Sequence, residues 1–418
     1  MSSGQTRVPH KIARASAYCL YLGLTTLLLL LLAELALRAL FGLPRGLFYF
    51  TPLKNTSLYR PNAKMNVVIM PLPYTIETNA LGFRGGPISR EKPAGITRII
   101  ALGDSITDGY MVDNPDTYPQ QLQDLLRNGG HNVEVVNAAR GYATIDREYA
   151  ILRKFCMPLD PDLVLLTFCG NDLYEMRSKS REELVSLNIE DMEPDAASEW
   201  LLFARTALGE AILDAVLRYR HDRYRAHQRY FAGLNAANRY DVPGAADYER
   251  NIELARKSSR SYGIGDPELL PVMRARLDDY LYALSHMNRF CAERSVRLMF
   301  VYFPTYEQIY DPAASMQLRD VLRAKTSELA IPFIDATPAY RARGRAKPLF
   351  LMPLDFHPNP EGNRVLAEAV RDALISQDFG FDDRKSPRLQ SLSLAGAMPE
   401  SATDSFNKRV LMRRAVAS

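Results

Sequence analysis

Five short apolar runs, separated by longer amphipathic stretches, recur between residues 97 and 336. They are TRIIALG (97–103), VEVVNA (133–138), DLVLLTF (162–168), RLMFVYF (297–303) and PFIDA (332–336). β-branched and aliphatic residues dominate these runs, and DLVLLTF is almost continuously apolar. That pattern is typical of strands that are buried on both faces. We therefore predict that the five runs are strands of one sheet.

Helical periodicity occupies two of the intervals between these runs. The segment 117–130 repeats apolar residues at Tyr118, Leu122 and Leu125 and ends at a pair of glycines, which predicts a helix. The segment 267–293 has the pattern of a long amphipathic helix. Because strands and helices alternate along the chain, we expect a mainly parallel sheet between two layers of helices, an α/β/α sandwich.

The N-terminal region contains a long apolar segment. No charged residue occurs in ASAYCLYLGLTTLLLLLLA (15–33), which at ~1.5 Å per residue spans most of a ~30 Å hydrocarbon core. A cleaved signal peptide is the alternative, but its apolar region is shorter and ends at a small-x-small site. Here the run continues to Glu34 and Arg38, which lie one helical turn apart and can pair near the interface. We favour an uncleaved transmembrane anchor over 15–40.

The charges that flank this segment suggest its orientation. Arg7, Lys11 and Arg14 precede it without an acidic residue among them, which favours a cytoplasmic tail over 1–14. The other flank carries Arg38 and Arg45 as well, so the bias is small. The remainder of the chain is then expected outside the cytoplasm.

The rest of the chain divides into a linker (41–94), an α/β domain (95–378) and a polar tail (379–418) that we expect to be disordered. The strand–helix alternation breaks at about 175–265, which indicates a helical insertion. Its segment 197–231 predicts one or two helices and is rich in tyrosine and in arginine at Arg218, Arg220, Arg223, Arg225 and Arg229. This segment is a lid, a membrane-resting helix or a glycan-contacting surface, or equally a solvated basic face.

Composition excludes some functions. The net charge of +4 over 418 residues is too small and too dispersed for phosphate-backbone recognition, so we expect no nucleic-acid partner. The four cysteines lack C-x-x-C spacing, and no metal-ligand cluster or phosphate-binding loop is evident. We therefore expect neither a metal nor a cofactor.

The first apolar run ends at Gly103 and is followed directly by Asp104 and Ser105 in RIIALGDSITDGY. This is either an ordinary turn or the presentation of a nucleophile, which requires a base to take the serine proton. Five of the six histidines are most simply solvated or structural: His10, His131, His221, His227 and His286. His357 differs, because Asp355 precedes it by two residues and a helix start follows it.

Residues that could assist a nucleophilic Ser105 lie beside His357 and after two of the predicted strands. In an extended segment residues i and i+2 point to the same side, so Asp355 and His357 can project together. Asn171 follows the third run and Gly141 follows the second. An Asn amide or a Gly backbone N–H can donate to an oxyanion at the carboxyl edge of a sheet. Each feature is also good turn chemistry when taken singly.

Together these pieces resemble the SGNH (GDSL-type) hydrolase superfamily. Its blocks are matched in order by GDSIT (103–107), Gly141, GND (170–172) and DFHPN (355–359). No G-x-S-x-G elbow is present, so the α/β-hydrolase pattern fits less well. The resemblance covers roughly 95–175 and 295–375, and it implies a flavodoxin-like, mainly parallel five-stranded sheet. It also makes a bacterial inner membrane, with a periplasmic catalytic domain, the expected location.

The resemblance implies a role for each matched residue. Ser105 would be the nucleophile, His357 the general base and Asp355 the residue that orients His357. The oxyanion hole would comprise the backbone N–H groups of Ser105 and Gly141 and the side chain of Asn171. Two departures are visible: the family's usual D-x-x-H is D-x-H here, and the Gly block is one residue shorter after Asn137.

Three functions are compatible with these residues. The first is hydrolysis of a carbohydrate or lipid O-acyl ester, such as an ester on a polysaccharide, through an acyl-enzyme. The second is transfer of the acyl group to a sugar hydroxyl, which needs the same catalytic groups. The third is a non-catalytic scaffold in a membrane glycan-assembly system, for which the D-x-H departure and the large insertion leave room.

Overall fold

The structure, a computed structural model, describes residues 7–41, 47–48, 58–59, 61–67, 72, 74–176, 180–187, 206–220, 240–262 and 271–377. The strands are β1 (Leu47–Phe48), β2 (Lys64–Val67), β3 (Tyr74–Glu77), β4 (Thr97–Leu102), β5 (Val133–Asn137), β6 (Leu163–Phe168), β7 (Arg297–Tyr302) and β8 (Phe333–Asp335). Strands β1–β3 form a small separate sheet, and β4–β8 form the main one.

The helices precede, connect and cover these strands. In chain order they are α1 (Arg7–Phe41), α2 (Ser105–Asp108), α3 (Tyr118–Asn128), α4 (Ile145–Ile151), α5 (Asp172–Glu175), α6 (Arg181–Ser186), α7 (Ala207–Arg220), α8 (Tyr248–Tyr262), α9 (Pro271–Ala292), α10 (Tyr306–Tyr310), α11 (Gln317–Glu328), α12 (Thr337–Gly344) and α13 (Pro360–Ser376). A 3-10 turn (Asn114–Asp116) precedes α3, and a π turn (Leu152–Cys156) and a 3-10 turn (Met157–Leu159) follow α4.

All neighbouring strands of the main sheet are parallel, in the order β5-β4-β6-β7-β8. The middle of β4 is paired on both sides, with Ile99 opposite Val135 of β5 and Leu163 of β6. This is a doubly wound, flavodoxin-like order: β5 is added on one side of β4, and β6, β7 and β8 are added in turn on the other. The predicted five-stranded parallel sheet is confirmed. The carboxyl ends of β4, β5 and β6 therefore lie side by side.

Successive residues of β4 point to opposite layers of helices. Ile99 and Ala101 pack in one core with residues of α3 and α13, whereas Ile100 and Leu102 pack in the other with residues of α4 and α9. All four side chains are fully buried, and burying a side chain the size of isoleucine contributes about 1.5–3 kcal/mol. The two cores establish the α/β/α sandwich, and they explain why the strand sequences are almost continuously apolar.

The first helix, α1, contains a span over Ile12–Leu40 that is long and apolar enough to cross a membrane, and the mean hydropathy reaches 2.2 over 18 of its residues. Arg38 pairs with Glu34 at 2.7 Å, as the one-turn spacing indicated. Within the predicted insertion, the described residues form α6, α7 and α8. Arg223, Arg225 and Arg229 lie outside the described residues, as does the tail 379–418 whose disorder we predicted.

Candidate active site

The end of β4 presents Ser105 through a tight backbone turn. Gly103 has φ +151°, and a Cβ at this position would lie 2.3 Å from the Thr107 Oγ1, so only glycine fits. Asp104 then caps α2, accepting a hydrogen bond from the Ile106 N–H at 2.9 Å. Ser105 is thus the first residue of α2, at the carboxyl edge of the sheet where open α/β proteins bind ligands.

The loop before α13 holds His357. Asn359 caps this helix by accepting from the Gly362 N–H at 2.9 Å, with Pro360 in the first turn, as predicted. Backbone hydrogen bonds also close the loop, because the Leu351 N–H donates to the His357 carbonyl at 2.9 Å. These contacts fix the position of the imidazole relative to the sheet.

The structure brings Ser105, His357 and Asp355 into one hydrogen-bonded chain. The Ser105 Oγ lies 2.8 Å from the His357 Nε2, and the His357 Nδ1 lies 2.5 Å from the Asp355 Oδ1. The same carboxylate oxygen accepts the His357 backbone N–H at 3.1 Å. This is the connectivity of a serine–histidine–aspartate triad, in which the carboxylate sets the tautomer of the imidazole. It forms here despite the D-x-H spacing.

Opposing effects act on the imidazole. Burial lowers the pKa of His357, but the charge of Asp355 and its hydrogen bond outweigh burial, and Asp104 and Glu175 add to them. The pKa of His357 is therefore raised above its ordinary value. The Tyr110 ring packs against the imidazole with centroids 4.6 Å apart. His357 is consequently a stronger base than a free histidine and is confined to one orientation.

Asn171 follows β6 and lies beside Ser105. Its Nδ2 donates to the Asp104 Oδ2 at 2.8 Å and to the Glu175 Oε2 at 3.2 Å. Asp104 is fully buried, and burial raises its pKa, partly countered by hydrogen bonds from Ile106 and Asn171. The amide therefore lies next to Ser105, with both of its N–H groups directed at carboxylates.

Gly141 has a different environment from the one that an oxyanion donor needs. Its backbone N–H donates to the Asp108 Oδ2 at 3.2 Å, and the Tyr59 hydroxyl donates to the same oxygen at 2.6 Å. Tyr142, the next residue, lines the cleft above Ser105, whereas Gly141 does not. In this structure the Gly141 N–H is held by a carboxylate, and its role in an oxyanion hole stays a prediction.

The chain from Ser105 to Asp355 opens into a cleft of about 310 Å³. Aromatic side chains dominate its wall: Tyr110, Tyr142, Tyr174, Tyr306, Phe350 and Phe356. Two carboxylates, Glu175 and Glu307, also reach it. Sequence reasoning missed these residues. Only the spacing of Glu175, four residues after Asn171, could have indicated one of the contacts in advance.

Two buried acidic residues lie on the protein side of the cleft. Burial raises the pKa of both Glu148 and Asp172 well above the ordinary range; the charges of Asp104 and Asp146 add to this at Glu148, and those of Glu148 and Asp104 add to it at Asp172. Asp172 accepts the Cys169 N–H at 3.1 Å, whereas neither Glu148 carboxyl oxygen has a hydrogen-bond partner among the described residues. Among the residues that the structure describes, no group of three or more His, Cys, Asp or Glu side chains is arranged to hold a metal ion.

Several solved structures are similar to this chain at low sequence identity. Among solved structures, the chain is similar to the α/β hydrolase LAE5 from the metagenome of Lake Arreo, at 15% identity over 68% of this chain and 96% of that one, with a TM-score of 0.37. It is also similar to a mutant of the acetylxylan esterase Axe2 from Geobacillus stearothermophilus, at 14% identity, 70% and 99% coverage and a TM-score of 0.37. No curated protein matches the chain.

A family model gives the assignment. The model of the GDSL-like lipase/acylhydrolase family matches residues 101–365, which is more than half of the 418 residues. The matched region begins within β4, ends within α13 and includes every residue of the Ser105–His357–Asp355 chain. The resemblance drawn from the sequence motifs is therefore confirmed, and this chain belongs to the GDSL-like lipase/acylhydrolase family.

Proposed function

We propose that this protein is a membrane-anchored serine esterase that cleaves an O-acyl ester through an acyl-enzyme. The observation that carries the proposal is the hydrogen-bonded chain from Ser105 through His357 to Asp355 at the base of an open cleft. Membership of a family of lipases and acylhydrolases supports an acyl ester as the substrate. We assign Ser105 as nucleophile, His357 as general base and Asp355 as the residue that orients it.

In the first half-reaction, the His357 Nε2 takes the proton of the Ser105 hydroxyl as the Oγ attacks the ester carbonyl carbon. The tetrahedral intermediate collapses, its bond to the alcohol oxygen breaks, and His357 returns the proton to the departing alcohol. In the second half-reaction, His357 deprotonates a water molecule that attacks the acyl-enzyme. The carboxylic acid leaves, and Ser105 regains its proton. Asp355 stabilises the imidazolium formed in each half.

The oxyanion of each tetrahedral intermediate needs hydrogen-bond donors. We assign the Ser105 backbone N–H, at the start of α2, and the Asn171 side chain to this role, together with the Gly141 backbone N–H once it is released from Asp108. Asn171 lies close enough to Ser105 to share the Asp104 carboxylate with it. For Asn171 to donate, the substrate oxygen has to replace the Glu175 carboxylate, which accepts the weaker of its two hydrogen bonds, at 3.2 Å.

We assign the ester to a glycan, which is the substrate class that the cleft favours. Aromatic faces stack on the apolar faces of sugar rings, and tyrosine hydroxyls and carboxylates bind sugar hydroxyls. Tyr142, 40% exposed at the mouth of the cleft, offers such a surface. Transfer of the acyl group to a sugar hydroxyl would use the same catalytic groups. Because the proposed sugar contacts lie in the same cleft as Ser105, acyl transfer to a sugar is the second candidate function.

The proposed location rests on α1. We propose a single-pass inner-membrane protein whose N-terminus is cytoplasmic and whose catalytic domain is periplasmic. The apolar span Ile12–Leu40 supports the anchor, and the basic residues ahead of it support the orientation. A glycan outside the cytoplasm would then be within reach of the cleft.

Hydrolysis of p-nitrophenyl acetate by the detergent-solubilised full chain tests the catalytic assignment. The Ser105→Ala variant should lose turnover to the background rate, whereas the control Ser376→Ala, at the exposed end of α13, should not. Acceleration of nitrophenol release by an added oligosaccharide, with an acylated sugar as product, would favour transfer over hydrolysis. Equal, background-level rates for Ser105→Ala and the parent chain would overturn the proposal and favour the non-catalytic scaffold.

A further inference from the structure

The helix α7 is joined to α1 by the side chain of Glu34. One Glu34 carboxyl oxygen accepts the Ala207 N–H at 2.9 Å, and the other accepts the Leu208 N–H at 2.8 Å. Arg38 donates to the same carboxylate at 2.8 Å. Glu34 therefore binds the positive end of the α7 dipole and supplies acceptors for N–H groups that have no partner within that helix.

This contact sets the level of α7 relative to the apolar span. Glu34 lies six residues before Leu40, the end of the span, which at ~1.5 Å per residue places it ~9 Å inside that end. A carboxylate at such a depth is costly unless it is paired, and here an arginine and two backbone N–H groups pair with it. The two helices also pack against each other. The N-terminus of α7 is thus at the depth of the bilayer's headgroup–acyl boundary if α1 spans the bilayer.

One face of α7 is apolar and exposed. Ile212, Val216 and Tyr219 are 44%, 43% and 84% exposed. Their spacing of i, i+4 and i+7 places them in one stripe along the helix. Ala215, on the same side, is also exposed. This stripe belongs to a helix whose first turn is bound by Glu34 and which packs against α1, whose own leucines are exposed.

We propose that α7 is a second membrane-contacting element, which lies in the lipid interface and holds the catalytic domain at the bilayer surface. The occupant of the stripe is lipid. A surface helix in the interface buries its apolar face by ~5–10 Å, which matches the depth given by Glu34. A tyrosine at the end of the stripe suits the boundary between acyl chains and headgroups. This inference rests on α1 as a membrane anchor, but it does not depend on the catalytic assignment.

Fluorescence quenching by lipids tests the proposal, because the chain has a single tryptophan, Trp200. The full chain carrying Trp200→Phe would receive one new tryptophan and be reconstituted in vesicles of brominated or unbrominated phosphatidylcholine. Tyr219→Trp tests α7, and Leu30→Trp, in the apolar span, reports the anchor. Ile375→Trp is the aqueous control, since Ile375 is 51% exposed near the end of α13. Far-ultraviolet circular dichroism of each variant, matched to that of the parent chain, shows that it is folded.

We expect brominated lipid to quench most of the emission of the Leu30→Trp and Tyr219→Trp variants and little of the Ile375→Trp emission. Quenching of Leu30→Trp without quenching of Tyr219→Trp would overturn the proposal and leave the anchor intact. If neither the Leu30→Trp nor the Tyr219→Trp emission is quenched, both the membrane anchor and the interfacial position of α7 are refuted, whatever the esterase assay shows. Emission from Tyr219→Trp that depends on protein-to-lipid ratio but not on bromine would assign the stripe to a second copy of the chain.

The Glu34→Ala variant tests the link between the helices. It removes the acceptor for both α7 N–H groups while leaving the leucine-rich span unchanged. Combined with Tyr219→Trp, it should reduce quenching at that position. Combined with Leu30→Trp, it should leave quenching as it was. Undiminished quenching in the first combination would show that Glu34 does not set the position of α7.

Discussion

Replacing Asp355 by asparagine separates the charge of this side chain from its geometry. In the structure the Asp355 Oδ1 accepts both the His357 Nδ1–H and the His357 backbone N–H, at 2.5 and 3.1 Å. An asparagine carbonyl can make the same two hydrogen bonds. Because the backbone N–H requires an acceptor, the amide should be held with its oxygen toward the ring. We therefore expect the tautomer of His357 to survive in Asp355→Asn and only the charge to be lost.

The cost of losing the charge can be worked from this geometry. Two unit charges about 4 Å apart interact by about 4 kcal/mol at an effective dielectric constant of about 20. The Asp355 side chain is 23% exposed, so solvent screening reduces this to about 3 kcal/mol. At about 1.4 kcal/mol per factor of ten, kcat/KM should fall about 10²-fold. The same substitution costs about 10⁴ in a triad where the amide enforces the wrong tautomer.

The assay is kcat/KM for p-nitrophenyl acetate as a function of pH. His357 acts as a base only when neutral, and Asp355 raises its pKa, so the rise of activity with pH should move to lower pH in Asp355→Asn. Asp372→Asn, at an exposed carboxylate of α13, is the matched control. A fall near 10⁴-fold would show that the amide turns its NH₂ toward the ring. Unchanged activity would remove Asp355 from the mechanism.

Four further changes test the site and the structure that supports it. Asn171→Ala should lower kcat by roughly 10²–10³-fold, whereas Glu175→Ala, which frees the amide for the oxyanion, should raise kcat/KM by up to about tenfold. Gly103→Ala should destabilise the fold by about 1–3 kcal/mol, measured by denaturant unfolding, because its Cβ would collide with Thr107. Glu148→Gln should raise the thermal stability at neutral pH, because burial opposes ionisation of this carboxyl.

The structure also supplies a control for Gly103→Ala and the expected pH dependence of Glu148→Gln. Gly86→Ala is the control for Gly103→Ala, since its Cβ would meet nothing within 4 Å, and equal losses in both would refute the steric reason. The pKa of Glu148 is raised in the folded state, so its favourable contribution is present below the unfolded pKa of about 4.3 and is lost as pH rises through the folded value. The Glu148→Gln stabilisation should thus disappear in acid. A stabilisation by Glu148→Gln that does not change with pH would contradict this reasoning. Lower activity in Glu175→Ala would contradict the separate prediction that removing Glu175 frees the Asn171 amide.

The main sheet could be predicted from the sequence because both of its faces are buried. Each strand then has to be apolar along its whole length, and each of the five predicted runs contains a strand that ends within two residues of the run's limits. The segment 117–130 likewise contains α3, which ends before Gly129 as the glycine pair indicated. Periodicity and turn chemistry are local properties, so they could be read without knowledge of the tertiary contacts.

The contacts around the nucleophile could not be predicted in the same way. Tyr110 reaches His357 only because the α2 region and the loop before α13 meet at the edge of the sheet. Asp108 accepts the Gly141 N–H across two strand ends. No spacing along the chain encodes such approaches. The pair of Asn171 and Glu175 is local, but α5 is four residues long and shows no periodicity that would mark it as a helix.

The D-x-H spacing shows how a departure from a family pattern can still satisfy its chemistry. An aspartate can accept the backbone N–H two residues ahead in an Asx turn, and Asp355 does so with His357. The same oxygen then faces the Nδ1 of that residue, so one turn positions both the backbone and the imidazole. With a spacing of three, the carboxylate would reach the ring without this turn. The shorter spacing therefore predicts that the orientation of His357 depends on Asp355 through two hydrogen bonds rather than one.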